Sequence, residues 1–300
     1  MTRIAYCLLV HKNPRQLCRL VRSIFSASDF FYVNIFGNSS TKESWIRELK
    51  EFESDNFFAI FRYERSWGQF QVVDATLDSM KRLARFDYNY FINLSGQCYP
   101  LKPIDSVKRF LDGKSYAYMA TFKMPYPSLG LGRIRYSYYR NPFFSLCDIF
   151  LDKTFGKWKY ETRRFVRHGY FLRFPRINKQ LPYNLEPYGG SAYFCLPKKH
   201  VDYILEFLRE KPSVLDFFKR AFAPDELFFQ TIIMNSQLKD TVTNDNLRYI
   251  DWSKQGVPLP AVLTIEDKEK LLDSPKLFAR KFDIEVDAQI LDSIDESKIK

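Results

Sequence analysis

Over the first hundred residues, continuous apolar runs alternate with amphipathic segments, and this constrains the fold more than any other feature of the chain. Ile4–Val10 is almost wholly apolar and bounded by polar residues, as a parallel strand buried on both faces would be. Pro14 opens a segment reaching Ile24, with Leu17, Leu20, Val21 and Ile24 on one helical face. A second strand is expected over Phe30–Phe36, ending in the turn Gly37-Asn38-Ser39-Ser40. A short helix over Ser44–Phe52, a strand over Phe57–Phe61, a helix over Gln69–Ala84 and a strand over Tyr88–Leu94 follow. This order predicts an α/β fold with a mostly parallel central sheet and helices on both faces. Ligands of such sheets sit beyond the carboxyl ends of the strands. Val10, His11 and the turn Ser95-Gly96-Gln97 are therefore placed where a ligand would bind.

After Pro103 the alternation lapses. A helix near Ile104–Leu111 and a strand near Tyr116–Thr121 lead into loops, and order returns with a strand over Gly190–Leu196. Helices are expected over His200–Leu208 and from Pro224 to Asn235, with an acidic tail after Asp283. The net charge of +11 is concentrated: residues 131–180 hold twelve Lys/Arg against three Asp/Glu, a net of +9, leaving +2 for the other 250 residues. Thirteen aromatics share that stretch. Basic residues among aromatics suit nucleic acid, an anionic membrane surface or a phosphate-bearing substrate, and equally a solvated face beside core aromatics. No nucleic-acid motif is visible, so no nucleic-acid partner is expected.

No stretch reaches the roughly 18–20 apolar residues of a membrane span, and Met1–Val10 reads as a buried strand rather than a signal peptide. The five cysteines are scattered and odd in number, which suits reduced thiols. A cytoplasmic protein is expected, resting peripherally on the inner face of a membrane. No Cys/His cluster has metal-ligand spacing, and no Asp-x-Asp occurs, so neither a metal site nor a cofactor is expected.

Several blocks in order carry a resemblance. They are Ile4–Pro14, Trp67–Leu77 with Phe91–Lys102, Gly190-Ser-Ala-Tyr-Phe194, Ala223-Pro-Asp-Glu-Leu-Phe-Phe-Gln230 and Leu277-Phe-Ala-Arg-Lys-Phe-Asp283. Together they resemble the core-2/I-branching and peptide xylosyltransferase family, glycosyltransferase family 14. The resemblance implies a GT-A type nucleotide-sugar-binding fold, an inverting mechanism and no need of a divalent metal. Residues 1–125 become a nucleotide-sugar-binding half. Residues 126–300 become an acceptor-binding half with a basic aromatic insert at 131–180, within one continuous domain. The implied partners are a nucleotide-sugar donor, by default UDP-N-acetylglucosamine, and a glycan or lipid-linked glycan acceptor, as in bacterial surface polysaccharide synthesis.

Inverting transfer needs a base for the acceptor hydroxyl and positive charge for the departing diphosphate. The family's base falls on Glu226. Pro224, Asp225 and Glu226 also read as a helix start, where dipole effects alone favour acids; Asp225 is assigned to holding its neighbourhood on the acceptor side. The family's diphosphate lysine falls on Lys281, beside Arg280. Val10 and His11 are assigned to donor binding. Trp252 matches an acceptor-side tryptophan, since sugar faces stack on indole, with core packing left open. Gly190 and Ser191 are read as an acceptor-side turn, where glycine permits close approach.

The chain departs from the family at three places. Phe36 and Cys98 stand where members carry acids, and a family arginine falls near Pro260. A catalytically inactive member and a polyanion-binding protein therefore remain the alternative readings.

Overall fold

A computed structural model describes residues 1–37, 41–63, 68–126, 130–140, 171–176, 180–254 and 257–299. The core is a seven-stranded sheet ordered β10-β6-β9-β4-β1-β2-β3. Its strands are β1 (Ile4–Val10), β2 (Phe30–Gly37), β3 (Phe57–Tyr63), β4 (Tyr90–Ser95), β6 (Ala117–Lys123), β9 (Tyr188–Pro197) and β10 (Val242–Thr243). The run β4-β1-β2-β3 is wholly parallel. β9 enters between β4 and β6 and is antiparallel to both, so the two halves of the chain share one sheet. A smaller sheet joins β11 (Arg248–Ile250), β12 (Phe278–Arg280) and β5 (Cys98–Pro100).

Each β1 residue is buried, and alternate side chains enter opposite cores because strand residues alternate faces. Ile4, Tyr6, Leu8 and Val10 pack with Leu17, Leu20, Val21 and Ile24 of α1 (Pro14–Ile24). Ala5, Cys7 and Leu9 pack with Val73, Leu77 and Met80 of α3 (Gln71–Leu83). The first face is completed by α2 (Lys42–Leu49), α4 (Ile104–Leu111) and the C-terminal helix Gln289–Ile299. The helices Lys198–Glu210 and Phe228–Met234 complete the second. This is the expected α/β architecture with a mostly parallel central sheet and helices on both faces, mixed rather than wholly parallel because of β9.

Deep in the first face, Lys108 reaches Asp29 at 2.9 Å, and Asp29 also accepts from the Ile4 amide at 2.9 Å. The pair pins the start of β1 to α4. The four described cysteines, Cys7, Cys18, Cys98 and Cys195, are buried and unpaired. No helix among the described residues is long and apolar enough to cross a membrane.

Candidate active site

The carboxyl end of β1 is where the N- and C-terminal regions meet. Val10 is buried and His11, the next residue, is exposed. The turn after β4 lies tight against them: the Gly96 amide donates to the Leu9 carbonyl at 3.1 Å, and a Cβ on Gly96 would stand 3.0 Å from Val10 Cγ1. The segment after β12 docks on that turn. The Phe282 amide donates to the Gln97 carbonyl at 2.9 Å, and Gln97 Nε2 returns a bond to the Phe282 carbonyl at 3.2 Å. From α1, buried Gln16 donates to the carbonyls of Gly96 and Phe282 at 2.9 and 3.0 Å.

Asp283 then closes the join. Its Oδ2 accepts from Lys12 Nζ at 2.5 Å and its Oδ1 from Asn13 Nδ2 at 2.9 Å. Burial pushes the Asp283 carboxyl up, but Lys12, the Glu285 amide and Asn13 together hold it below its ordinary value. Lys12 and Asn13, which follow Val10 and His11, are thus bound to Asp283, two residues past Lys281. Lys12, Asn13 and Gln16 were not singled out from the sequence. They are ordinary polar residues around a strand end, and their common partners lie some 270 residues away.

Glu226 occupies a second edge. Its expected setting needs correction, because Pro224–Asn235 is not one helix. Pro224–Glu226 is a single 3-10 turn, Leu227 breaks it with φ −134° and ψ −41°, and the α-helix begins at Phe228. The helix dipole is therefore not what holds this carboxylate. Instead Arg133 Nη1 donates to Glu226 Oε2 at 2.5 Å, with the two side chains 21% and 36% exposed. Just upstream, Ala223 takes a left-handed conformation at φ 45°, and its amide donates to the Gly68 carbonyl at 2.8 Å. Asp225, the residue before Glu226, is half-buried.

β9 links the two edges. Gly190 and Ser191 lie inside this strand rather than in a turn, a second correction, and the pairing with β6 is irregular between Met119 and Thr121. A Cβ on Gly190 would fall 1.8 Å from the Ala120 carbonyl oxygen, so glycine is required by strand-to-strand approach. The Ser191 carbonyl accepts from Gln230 Nε2 at 2.6 Å. Further along β9, the Arg280 guanidinium carbon stands 4.5 Å from the Tyr193 ring centroid. Arg280 Nε is buried with no hydrogen-bond partner among the described residues. Trp252, two residues past β11, is 59% exposed, which removes core packing as its role. β11 pairs with β12, Ile250 opposite Arg280.

The departures also find their places. Phe36 is core. Asn34 binds Ser79 Oγ at 2.9 Å and Arg62 Nε at 2.7 Å. Cys98 is buried against Ser95. Arg248 is buried, donating to the carbonyls of Asn93 and Phe194 at 2.9 and 3.1 Å. Among the described residues no three His, Cys, Asp or Glu gather as metal ligands. Trp67 and most of the basic aromatic insert, residues 141–170 and 177–179, lie outside the described residues. Its described flanks, β7 (Tyr136–Arg140) and β8 (Phe171–Pro175), pair antiparallel.

The family model of the Core-2/I-Branching enzyme matches residues 4–271. The chain belongs to this family of glycosyltransferases. Similar proteins include human Xylosyltransferase 1, 25% identical over 98% of this chain and 30% of that protein. Rat Xylosyltransferase 2 is 25% identical over 98% of this chain and 33% of its own length. The chain spans about a third of the length of these curated relatives. The crystal structure of mouse xyloside xylosyltransferase 1 in its apo form covers 92% of this chain and 96% of its own, at 12% identity and TM-score 0.35, too distant to bear on the site. Within this Core-2/I-Branching member, the matched residues take in Glu226 and Trp252, whereas Arg280, Lys281 and Asp283 lie beyond them.

Proposed function

We propose that the chain is an inverting, metal-independent glycosyltransferase that moves a sugar from a nucleotide-sugar donor to a glycan hydroxyl. The observation that carries this reading is the convergence of two chemically distinct edges on β9. Cationic Arg280 and Lys281 stand near the end of β1, and a half-exposed carboxylate, Glu226, stands near the other end of β9. The donor's nucleoside lies against Val10 and His11, and its diphosphate against Lys281 and Arg280. Those two cations take the role a metal would have on the leaving group, and the lack of any Asp-x-Asp supports it. The acceptor sugar stacks on Trp252, with Asp225, Gly190 and Ser191 shaping that side of the cleft.

In the reacting complex, Glu226 accepts the proton of the acceptor hydroxyl as its oxygen bonds to the anomeric carbon. The bond from that carbon to the diphosphate oxygen breaks on the opposite face, and the diphosphate leaves with the electron pair. The acceptor is a glycan, lipid-linked and presented at an anionic surface, which the basic stretch from 131 to 180 suits. Two donors lead: UDP-N-acetylglucosamine, the default for branching enzymes, and UDP-xylose, to which the relatives' names point.

The test is transfer and hydrolysis across a panel of UDP-sugars, with and without EDTA, on wild type and Glu226→Gln. One donor turned over regardless of EDTA, with turnover lost and donor binding kept in the variant, supports the reading. Binding of no nucleotide sugar would leave an inactive or polyanion-binding protein, and loss of turnover in EDTA would refute metal independence.

A further inference from the structure

Glu226 is not presented by a helix, yet it must hold one carboxylate oxygen toward an acceptor hydroxyl. Its Oε2 is occupied by Arg133 Nη1 at 2.5 Å. No bond to Oε1 from the described residues is found beside it, so one oxygen is anchored and the other left for the acceptor. Arg133 is itself held firmly. It sits on the helical turn Gly132–Arg135, and its guanidinium carbon stands 5.5 Å from the Phe222 ring centroid. Its carbonyl accepts from the Phe222 amide at 3.4 Å.

The same flank of the basic insert is tied to the loop that delivers Glu226. The Tyr138 amide donates to the Arg220 carbonyl at 2.9 Å. Arg176 donates Nη2 to the Phe217 carbonyl at 2.9 Å and Nε to the Tyr136 carbonyl at 3.2 Å. Residues 217–222 and 132–138 are thus one docked unit, with Glu226 just beyond it. A guanidinium gripping a carboxylate at this range fixes orientation as well as charge.

We infer that Arg133 is the positioning residue for the base, holding Oε2 so that Oε1 meets the acceptor hydroxyl, an inference that rests on reading Glu226 as that base. The insert's flank then contributes to the chemistry of the fold's second half and not only to contacts with a surface. Arg133 does not touch the leaving group, which belongs to the Arg280 and Lys281 edge.

The experiment compares wild type with Arg133→Gln, Arg133→Lys, Glu226→Gln and the double variant Arg133→Gln/Glu226→Gln. It measures kcat, donor Kd and Tm for each, using the UDP-sugar that the wild type turns over, or UDP alone for binding. Misplacing a catalytic group by about 1 Å costs on the order of 100-fold. Arg133→Gln is therefore expected to lower kcat by about 10- to 100-fold with donor Kd unchanged. Arg133→Lys should recover part of the loss, as should added guanidinium ion. The double variant should be no slower than Glu226→Gln alone, because residues acting as a unit are not additive. Wild-type kcat in Arg133→Gln overturns the inference. So does a loss of kcat accompanied by equal losses of donor binding and Tm in both Arg133 variants, which would mark a purely structural role. Full kcat in Glu226→Gln instead refutes the base assignment itself, whatever Arg133 does.

Discussion

Replacing Asp283 with asparagine takes the charge out of the join between the two ends of the chain while keeping its shape. In the wild type one buried carboxylate accepts from Lys12 at 2.5 Å and from Asn13 at 2.9 Å. An asparagine amide keeps one acceptor oxygen, and its nitrogen must face either Lys12 or the Asn13 amide, donor against donor. Hydrogen bonds to a charged partner contribute about 1.5–3 kcal/mol each. Lys12 is 38% exposed, so water screens part of its share. The expected cost is about 2 kcal/mol, which lowers Tm by roughly 3 °C in a chain of this size. The carboxyl is held below its ordinary value of 3.8. A depressed acid contributes stability above its unfolded pKa and loses it as pH falls through the folded one. The gap between wild type and variant should therefore be full at pH 7 and close below about pH 3.8. Thermal melts across that range read the stability, and calorimetric titration with the donor's nucleotide reads the site, whose affinity should weaken because the His11–Asn13 loop is released. Equal melting at pH 7 together with unchanged nucleotide affinity would refute the view that Asp283 assembles the donor edge.

Gly190→Ala should destabilise the fold, since the new methyl would overlap the Ala120 carbonyl at 1.8 Å and only a backbone shift relieves it. A loss of 1–3 kcal/mol or more is expected by denaturant titration, and an unchanged midpoint would show that β9 can move there freely. His200 is buried with Thr241 Oγ1 beside Nε2 at 2.9 Å, and burial, aided by Lys199, pushes its pKa down to about 4. Between about pH 4 and 6.5 the unfolded chain binds the proton that the folded chain refuses, so stability rises with pH through that window. His200→Gln should flatten this slope in melts between pH 4 and 7, and an unaltered slope would assign it to other groups.

Much of the fold was legible because its signals are local. The apolar run Ile4–Val10 and the periodicity of Pro14–Ile24 depend only on neighbours in sequence, and both elements formed at their expected bounds. Motif residues were legible for a different reason. Glu226, Lys281 and Trp252 were singled out by the resemblance of short blocks taken in order, not by periodicity. What failed were inferences from local chemistry about a residue's surroundings. The start at Pro224 looked like a helix cap, but Leu227 interrupts it, because the loop there must meet Gly68 and the flank of the insert. Gly190 looked like a turn glycine, and is a strand glycine crowded by Ala120.

The sequence alone determined the alternating sheet, the placement of Val10 and His11 at a strand end, and the candidates for base and diphosphate cation. The first two follow from periodicity and the candidates from the resemblance of short blocks in order, and neither needs knowledge of contacts. Tertiary structure alone decided what holds each of them: Arg133 on Glu226, Asp283 on Lys12 and Asn13, and Tyr193 beneath Arg280. Each of these is a pairing between elements far apart in the chain. A pairing of that kind is selected by how the whole sheet and its two cores pack, and leaves no period or motif in the sequence to read.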